Sequence, residues 1–122
     1  MIISHTLEFA GSNLSGFVVI PEGARIERCW LMLESTLAAH AANYLTFNVR
    51  GSDGVTAVAT QTTNSGASGI SITGVTPVEL SLSNADKQVY SDGGYIKLEC
   101  DKNGSPANNK VVFGIKLALA RD

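Results

Sequence analysis

Hydrophobic and polar residues alternate along most of this chain with a period of two, the pattern of strands that bury one face. Residues 44–50 and 95–101 show the alternation, and residues 111–119 continue it in a longer run. It assigns one row of side chains to the core: Leu45, Phe47, Val49, Ile96, Leu98, Cys100, Val111, Phe113, Ile115, Leu117 and Leu119. Thr46, Asn48, Lys97 and Lys116 alternate with them and are expected outside or at a subunit contact. The other alternates in the last strand are the small residues Gly114, Ala118 and Ala120.

Three further strands are predicted in the first part of the chain. One face of the first carries Ile3, His5, Leu7 and Phe9. Residues 14–20 form the second, which Pro21 ends because proline cannot donate to the ladder of hydrogen bonds. In residues 25–35 the alternation slips, so this strand either buries both faces or contains a β-bulge.

Hairpins and loops are predicted for the middle of the chain. The sequence Gly-Ser-Asp-Gly at residues 51–54 makes a turn, and residues 55–60 form the second arm of its hairpin. Residues 69–74 and 77–83 are two short strands, or one strand bent between them. Residues 37–42 have helical propensity but are too few for a stable helix, so we expect a loop with one helical turn.

About eight strands at this spacing predict an all-β fold, an antiparallel β-sandwich or barrel. The 122 residues contain no linker or repeat, so residues 1–122 are expected to form a single domain. Hydrophobic residues make up 44% of the chain and charged residues 16%, which indicates a packed core rather than disorder.

The charge pattern argues against two classes of partner. The formal net charge is −2 and the basic residues are scattered, whereas a nucleic-acid surface needs many Lys and Arg side chains together. The apolar runs at residues 30–33 and 111–113 are far shorter than the ~18 residues that span a bilayer. The first residues, MIISHTLEF, lack the basic and apolar regions of a signal peptide. We expect no nucleic-acid partner, no membrane partner and no secretion.

The titratable residues do not form a recognisable catalytic or metal-binding motif. His5 shares the phase of a core row and His40 lies among alanines, so both are expected to be structural. Glu99 and Asp101 alternate on the outer face of one strand, where a solvated surface is expected rather than a glycosidase pair. Turns such as residues 51–54 carry Asp and Gly but not the full ligand spacing of a calcium loop. No enzyme activity, metal or cofactor is therefore expected.

Cysteines and aromatic residues add two expectations. Cys29 and Cys100 lie in predicted strands, and without a secretion signal they are expected as reduced, buried thiols, with a disulfide as the alternative. Trp30 lies inside an apolar strand and is not counted among the exposed aromatic residues. The aromatic residues left as candidates for exposure are Tyr44, Tyr90 and Tyr95.

Five stretches of the chain resemble small β-sandwich proteins encoded among the head genes of tailed bacteriophages. They are residues 25–30 (RIERCW), 42–49 (ANYLTFNV), 54–60 (GVTAVAT), 90–99 and 111–119. The resemblance implies a jelly-roll decoration (cement) protein on the capsid exterior, without catalytic residues and often clustered in trimers. Its partners would be the major capsid protein and copies of itself, and its location the virion surface after synthesis in the host cytoplasm.

The N-terminal segment is the candidate contact with the capsid. N-terminal segments of such proteins often contact the major capsid protein, which makes Met1, Ile2, Ile3, Ser4 and His5 partner-binding candidates. Adjacent Ile2 and Ile3 must face opposite sides of a strand, so one core cannot bury both. The outer of the two side chains is therefore expected at a partner or half-exposed.

Two other functions remain open at this point. A carbohydrate- or receptor-binding module would show a bound cation or exposed aromatic stacking at Tyr90 or Tyr95. A small hydrolase would require His5 or His40 beside a nucleophile in a cleft.

Overall fold

Two antiparallel sheets packed against each other form the protein. The computed structural model describes residues 1–119, so Ala120 lies outside the described residues. The strands are β1 (Ile2–Phe9), β2 (Leu14–Ile20), β3 (Ala24–Leu33), β4 (Tyr44–Arg50), β5 (Ala57–Thr62), β6 (Val78–Leu80), β7 (Val89–Tyr90), β8 (Gly94–Asn103) and β9 (Asn109–Leu119). Two short 3-10 helices span Ser65–Ala67 and Ala85–Gln88.

The order of the strands is that of a jelly roll. Sheet I has the order β1-β9-β3-β6, with β7 also paired to β3, and sheet II has the order β2-β8-β4-β5. Because β6 and β7 occupy the same side of β3, the nine strands fill eight positions. These positions reproduce the two four-position sheets of a jelly roll, in which the first four strands alternate between the sheets. The predicted antiparallel β-sandwich is confirmed.

The predicted core row is buried. Ten of its side chains are at most 2% exposed: Leu45, Phe47, Val49, Ile96, Leu98, Cys100, Val111, Phe113, Ile115 and Leu117. The eleventh, Leu119, is half-buried against the core. Thr46, Lys97 and Lys116 lie half-buried on the outer faces, as expected. Asn48 differs from the prediction, because it is only 9% exposed on the outer face of sheet II. The Thr60 hydroxyl donates to its Oδ1 at 2.8 Å, which gives the covered amide oxygen a partner.

A β-bulge in β3 explains the slip in its sequence pattern. The register against β9 shifts between Ile26 and Arg28. Ile26 points inward before the bulge, and Cys29 and Leu31 point inward after it. The bulge therefore turns Trp30 to the outer face, where it is half-buried, although its apolar strand suggested the core.

Two predictions for the middle of the chain are wrong. Residues 69–74 form no strand; Ile72 makes only an isolated antiparallel bridge to Leu37. Their backbone amides and carbonyls exchange two hydrogen bonds of 2.9 Å, which anchor one loop to the other. Because this bridge holds Leu37 in an extended conformation, residues 37–42 do not form the expected helical turn. Of the predicted strand at residues 77–83, only Val78–Leu80 pairs.

Strand β5 begins two residues later than predicted because a side chain holds the turn. Asp53 Oδ1 accepts from the backbone amides of Val55 and Thr56 at 2.9 and 2.8 Å. Its other oxygen accepts from the Thr56 hydroxyl. These bonds lower the pKa of Asp53 to about 2 and bind the carboxylate within its own turn.

The two thiols should not react in the folded protein. Cys29 and Cys100 are both fully buried and free, on β3 and β8 respectively. Burial raises the pKa of each to about 12, so only about one thiol in 10,000 would be a reactive thiolate at pH 8. A maleimide should label both only after denaturation, as measured by mass spectrometry. Rapid labelling of the native protein would contradict the burial, and a mass lower by two hydrogens would indicate a disulfide.

Candidate functional site

The N-terminal strand is tied down along its whole length. Strand β1 pairs with β9 from Ile2, opposite Lys116, to Phe9, opposite Asn109. Met1 adds two backbone bonds, since its amino group donates to the Leu117 carbonyl at 3.3 Å and the Leu117 amide donates back at 2.8 Å. The segment is thus an ordered edge of sheet I rather than a frayed terminus.

The five N-terminal candidates divide between the two faces of sheet I. Met1 and Ile2 are 55% and 67% exposed, and Ser4 is exposed on the same outer face as Ile2. Ile3 points inward and packs against the core. His5 also points inward, half-buried and so close to β2 that a Cβ on Gly16 would lie 2.6 Å from its Nε2. The expected division of Ile2 and Ile3 is confirmed.

An apolar groove lies on the outer face of sheet I, next to Ile2. Its volume is about 340 Å³, and its lining includes Ile2, Trp30, Met32, Pro77, Val112 and Gly114. Gly114 lies directly opposite Trp30 in the register, and a Cβ there would be 3.5 Å from the indole Cε3. The indole therefore lies over Gly114 at a distance that a methyl group would fill in ordinary contact. We name this surface the Trp30 groove.

Charged side chains frame both ends of the Trp30 groove. The Arg28 guanidinium lies 4.9 Å from the centre of the Trp30 ring, a cation–π contact. It also donates to both carboxylate oxygens of Glu79, which holds the pKa of Glu79 below its usual range. At the other end, Lys110 Nζ lies 3.6 Å from Glu8 Oε1 and 3.7 Å from Glu34 Oε2. Exposed pairs of this kind add little stability.

A second apolar surface lies on the outer face of sheet II. Phe17 and Val19 on β2 are 56% and 82% exposed, and Tyr95 on β8 is 46% exposed. The rings of Phe17 and Tyr95 meet edge to face, with centroids 5.3 Å apart. Tyr90, in contrast, is only 1% exposed, because β7 pairs with β3 and turns the phenol inward. Of the three tyrosines that were candidates for exposure, Tyr95 is therefore exposed, Tyr44 is half-buried and Tyr90 is buried.

The carboxylates of β8 are not the solvated pair that the sequence suggested. Arg50 Nε donates to Glu99 Oε1 at 2.8 Å, and Lys97 Nζ lies 3.5 Å from its other oxygen. The Glu99 side chain is only 16% exposed. Partial burial, with Glu99 nearby, raises the pKa of Asp101. Glu99 is thus committed to cations of its own sheet.

Both histidines have local structural roles. His5 fills the space over Gly16 at the margin of the two sheets. His40 Nδ1 accepts from the backbone amides of Ala42 and Asn43 at 3.0 and 2.9 Å, which closes the loop before β4. Among residues 1–119 no three His, Cys, Asp or Glu side chains are placed to hold a metal ion together.

No family model matches the chain, and neither the curated proteins nor the solved structures contain a match to it. Within the part of the chain that the structure describes, no helix is long and apolar enough to cross a membrane.

The sequence analysis did not predict most residues of the two exposed apolar surfaces. Of the Trp30 groove only Ile2 was a candidate, and of the surface on sheet II only Tyr95. The sequence of β2, LSGFVVI, did carry a signal, because Phe17 and Val19 are apolar in the row that alternates with Val18 and Ile20. A strand that is apolar in both rows has a second face to cover.

Proposed function

We propose that the chain is a non-enzymatic structural protein of a tailed-phage virion, a decoration protein that binds the capsid exterior. The jelly-roll order supports this proposal, since the five stretches with the phage resemblance lie mainly in its strands. The observation that carries it is the Trp30 groove, where the exposed Ile2 of the N-terminal strand joins an apolar surface with charged ends. An apolar centre with a polar rim is the usual composition of a protein contact.

The N-terminal candidates would serve this contact in two ways. Ile2 and Ser4 face outward, and together with the exposed Met1 they would touch the capsid surface. Ile3 and His5 face inward and would hold the strand in position against the core and β2. The proposed partner is the major capsid protein, on the outside of a virion whose parts are made in the host cytoplasm. A second partner is the chain itself, in trimers if the resemblance extends to the assembly.

Replacing Ile2 with serine tests the capsid contact. Because Ile2 is 67% exposed, the free energy of unfolding of the Ile2→Ser variant should lie within about 0.5 kcal/mol of that of the unchanged protein. Its affinity for undecorated capsids of the encoding phage should fall about tenfold, since a buried apolar contact of about 1.4 kcal/mol is lost. Co-sedimentation of the labelled protein with capsids measures this affinity.

A matched control for this experiment is Ile70→Ser. Ile70 is 40% exposed in the loop after β5, away from the Trp30 groove, so its replacement should leave capsid binding unchanged. Deleting Met1 to Ser4 is less specific, because it also removes the core contact of Ile3 and the backbone bonds to Leu117. Equal capsid binding by the Ile2→Ser variant and the unchanged protein would contradict the contact.

Carbohydrate or receptor binding is a second candidate, and the exposure of Tyr95 is the observation in its favour. A sugar ring could stack near Tyr95 and Phe17 and bond to the polar groups of Arg50 and Lys97 on the same face. Affinity electrophoresis in gels that contain host surface polysaccharide tests this function. Retardation that is lost in a Tyr95→Ala variant would support it, and equal mobility with and without polysaccharide would contradict it.

A further inference from the structure

Strand β2 is an edge strand of sheet II and lacks the features that usually protect such an edge from pairing. It pairs with β8 along all seven residues, from Leu14 to Ile20, without a shift in register. It contains no charged residue and no proline, and its other side pairs with no strand of residues 1–119. Proteins normally protect such an edge with charges, proline, bulges, short length or a covering loop, because its free amides and carbonyls can pair with another strand.

The other sheet edges of residues 1–119 carry such protection. The edge at β5 is covered by loops, since the amides of Ser83 and Ile70 donate to the carbonyls of Val58 and Thr62 at 2.8 and 3.1 Å. The opposite edge of sheet I consists of β6 and β7, which have only three and two residues. Strand β1 carries the charged Glu8 on its outer face and the imidazole of His5 on its inner face.

The outer side chains of β2 extend an apolar surface to this edge. Val19 is 82% exposed and Phe17 56% exposed, and Tyr95 lies directly opposite Val19 on the neighbouring strand. The charges of the same face lie farther from the edge, with Lys97 and Glu99 on β8 and none on β2. Both the backbone and the side chains of β2 are thus suited to a strand that continues the sheet.

We propose that β2 pairs antiparallel with β2 of a second copy of this chain. A two-fold axis beside Phe17 would place each Phe17 opposite its counterpart and each Val19 opposite Ser15 of the other copy. The two four-stranded sheets would then form one continuous sheet of eight strands. Antiparallel pairing about a two-fold axis is self-complementary, so one uncovered edge is sufficient for both copies.

Charge and size favour a second copy as the occupant. Strand β2 has no charged residue that would repel its counterpart in the second copy. The two Lys97 residues would be separated by three strand spacings, roughly 14 Å, which exceeds the ~8–10 Å screening length. The paired edges would be about 23 Å long, a small contact. A dimer that dissociates on dilution is therefore expected. Its two-fold symmetry differs from the trimer that the phage resemblance implies, and it does not depend on capsid binding.

Light scattering and sedimentation equilibrium of the purified full chain test the contact without capsids. From about 10 µM to about 1 mM, the average mass should rise from the 12.8 kDa of the chain towards twice that value. A Val19→Lys variant should weaken the dimer at least tenfold, because it places a charge on the edge. A matched control, Val55→Lys, changes a 73% exposed valine of the turn before β5 and should leave the dimer unchanged.

The register is tested with Val19→Glu, which should weaken the dimer as Val19→Lys does, and with its combination with Ser15→Lys. Ser15 lies opposite Glu99 of its own copy, so a lysine there meets no like charge. In the proposed pairing the introduced lysine of each copy faces the introduced glutamate of the other, so the double variant should regain dimerisation. Within one copy the two positions are about 13 Å apart along the strand, too far for a direct ion pair. A wild-type chain that stays monomeric to about 1 mM, or that forms a trimer unaffected by Val19→Lys, would overturn the proposal. A dimer that the double variant fails to regain would overturn this register.

Discussion

Replacing Phe113 with alanine is expected to lower the free energy of unfolding by about 3–5 kcal/mol. Phe113 is 1% exposed on β9, where it lies between His5 of β1 and Leu31 of β3. Strands on both sides fix the backbone around it, so the site can close only partly over the space that the ring leaves. Urea unfolding followed by circular dichroism measures the loss.

The neighbouring residue provides the control. Val112 faces the outside of the same strand, half-buried in the lining of the Trp30 groove. Val112→Ala should cost about 1 kcal/mol or less, because it removes little area that is buried in the free chain. A loss below about 1 kcal/mol for Phe113→Ala would mean that the two rows of β9 are exchanged, since a shift of one residue turns every side chain to the other face.

Replacing Gly51 with alanine should cost about 2–3 kcal/mol, although only one methyl group is added. A Cβ at Gly51 would overlap the carbonyl oxygen of Lys87 and would lie 2.8 Å from Val58 Cγ1. The Lys87 carbonyl cannot easily move, because it accepts from the Ser52 amide at 2.8 Å. Thermal unfolding would show the loss as a lower midpoint.

Gly66→Ala is the corresponding control in another loop. A Cβ at Gly66 would approach only Asn64 Oδ1, at 3.3 Å, so the stability should stay within about 0.5 kcal/mol. Equal stability of the Gly51 and Gly66 variants would show that the backbone around Lys87 yields to the added methyl group.

The strands that carry a full alternating row could be predicted from the sequence. The bounds of β2 and β4 match the prediction, because in each strand one face meets the core. The segment at residues 69–74 could not be placed correctly by the same reasoning. Its buried Ile72 is held by a single bridge to Leu37, and one inward side chain in a loop looks like a short strand in the sequence.

The candidate site was less predictable because it depends on neighbours that are distant in the chain. The slip in β3 predicted either a bulge or two buried faces, and the side to which Trp30 turns depends on the register with β9. The Trp30 groove unites Ile2, Trp30, Pro77 and Val112, which come from four separate parts of the chain. The exposure of Ile2 was accessible from the sequence, since adjacent residues of a strand face opposite sides.

The strand order also determines when the protein can fold during synthesis. Strand β9 lies between β1 and β3, and β8 lies between β2 and β4. The early strands of each sheet are therefore connected only through a strand that is synthesised late. At a translation rate of about 5–20 residues per second, β1 emerges roughly 5–20 s before its partner β9 exists. During that interval the first four strands lack the central strand of their sheet. A ribosome-bound chain that ends before β8 should therefore remain open to chaperones and proteases, and the whole domain should fold in one step after β9 is released.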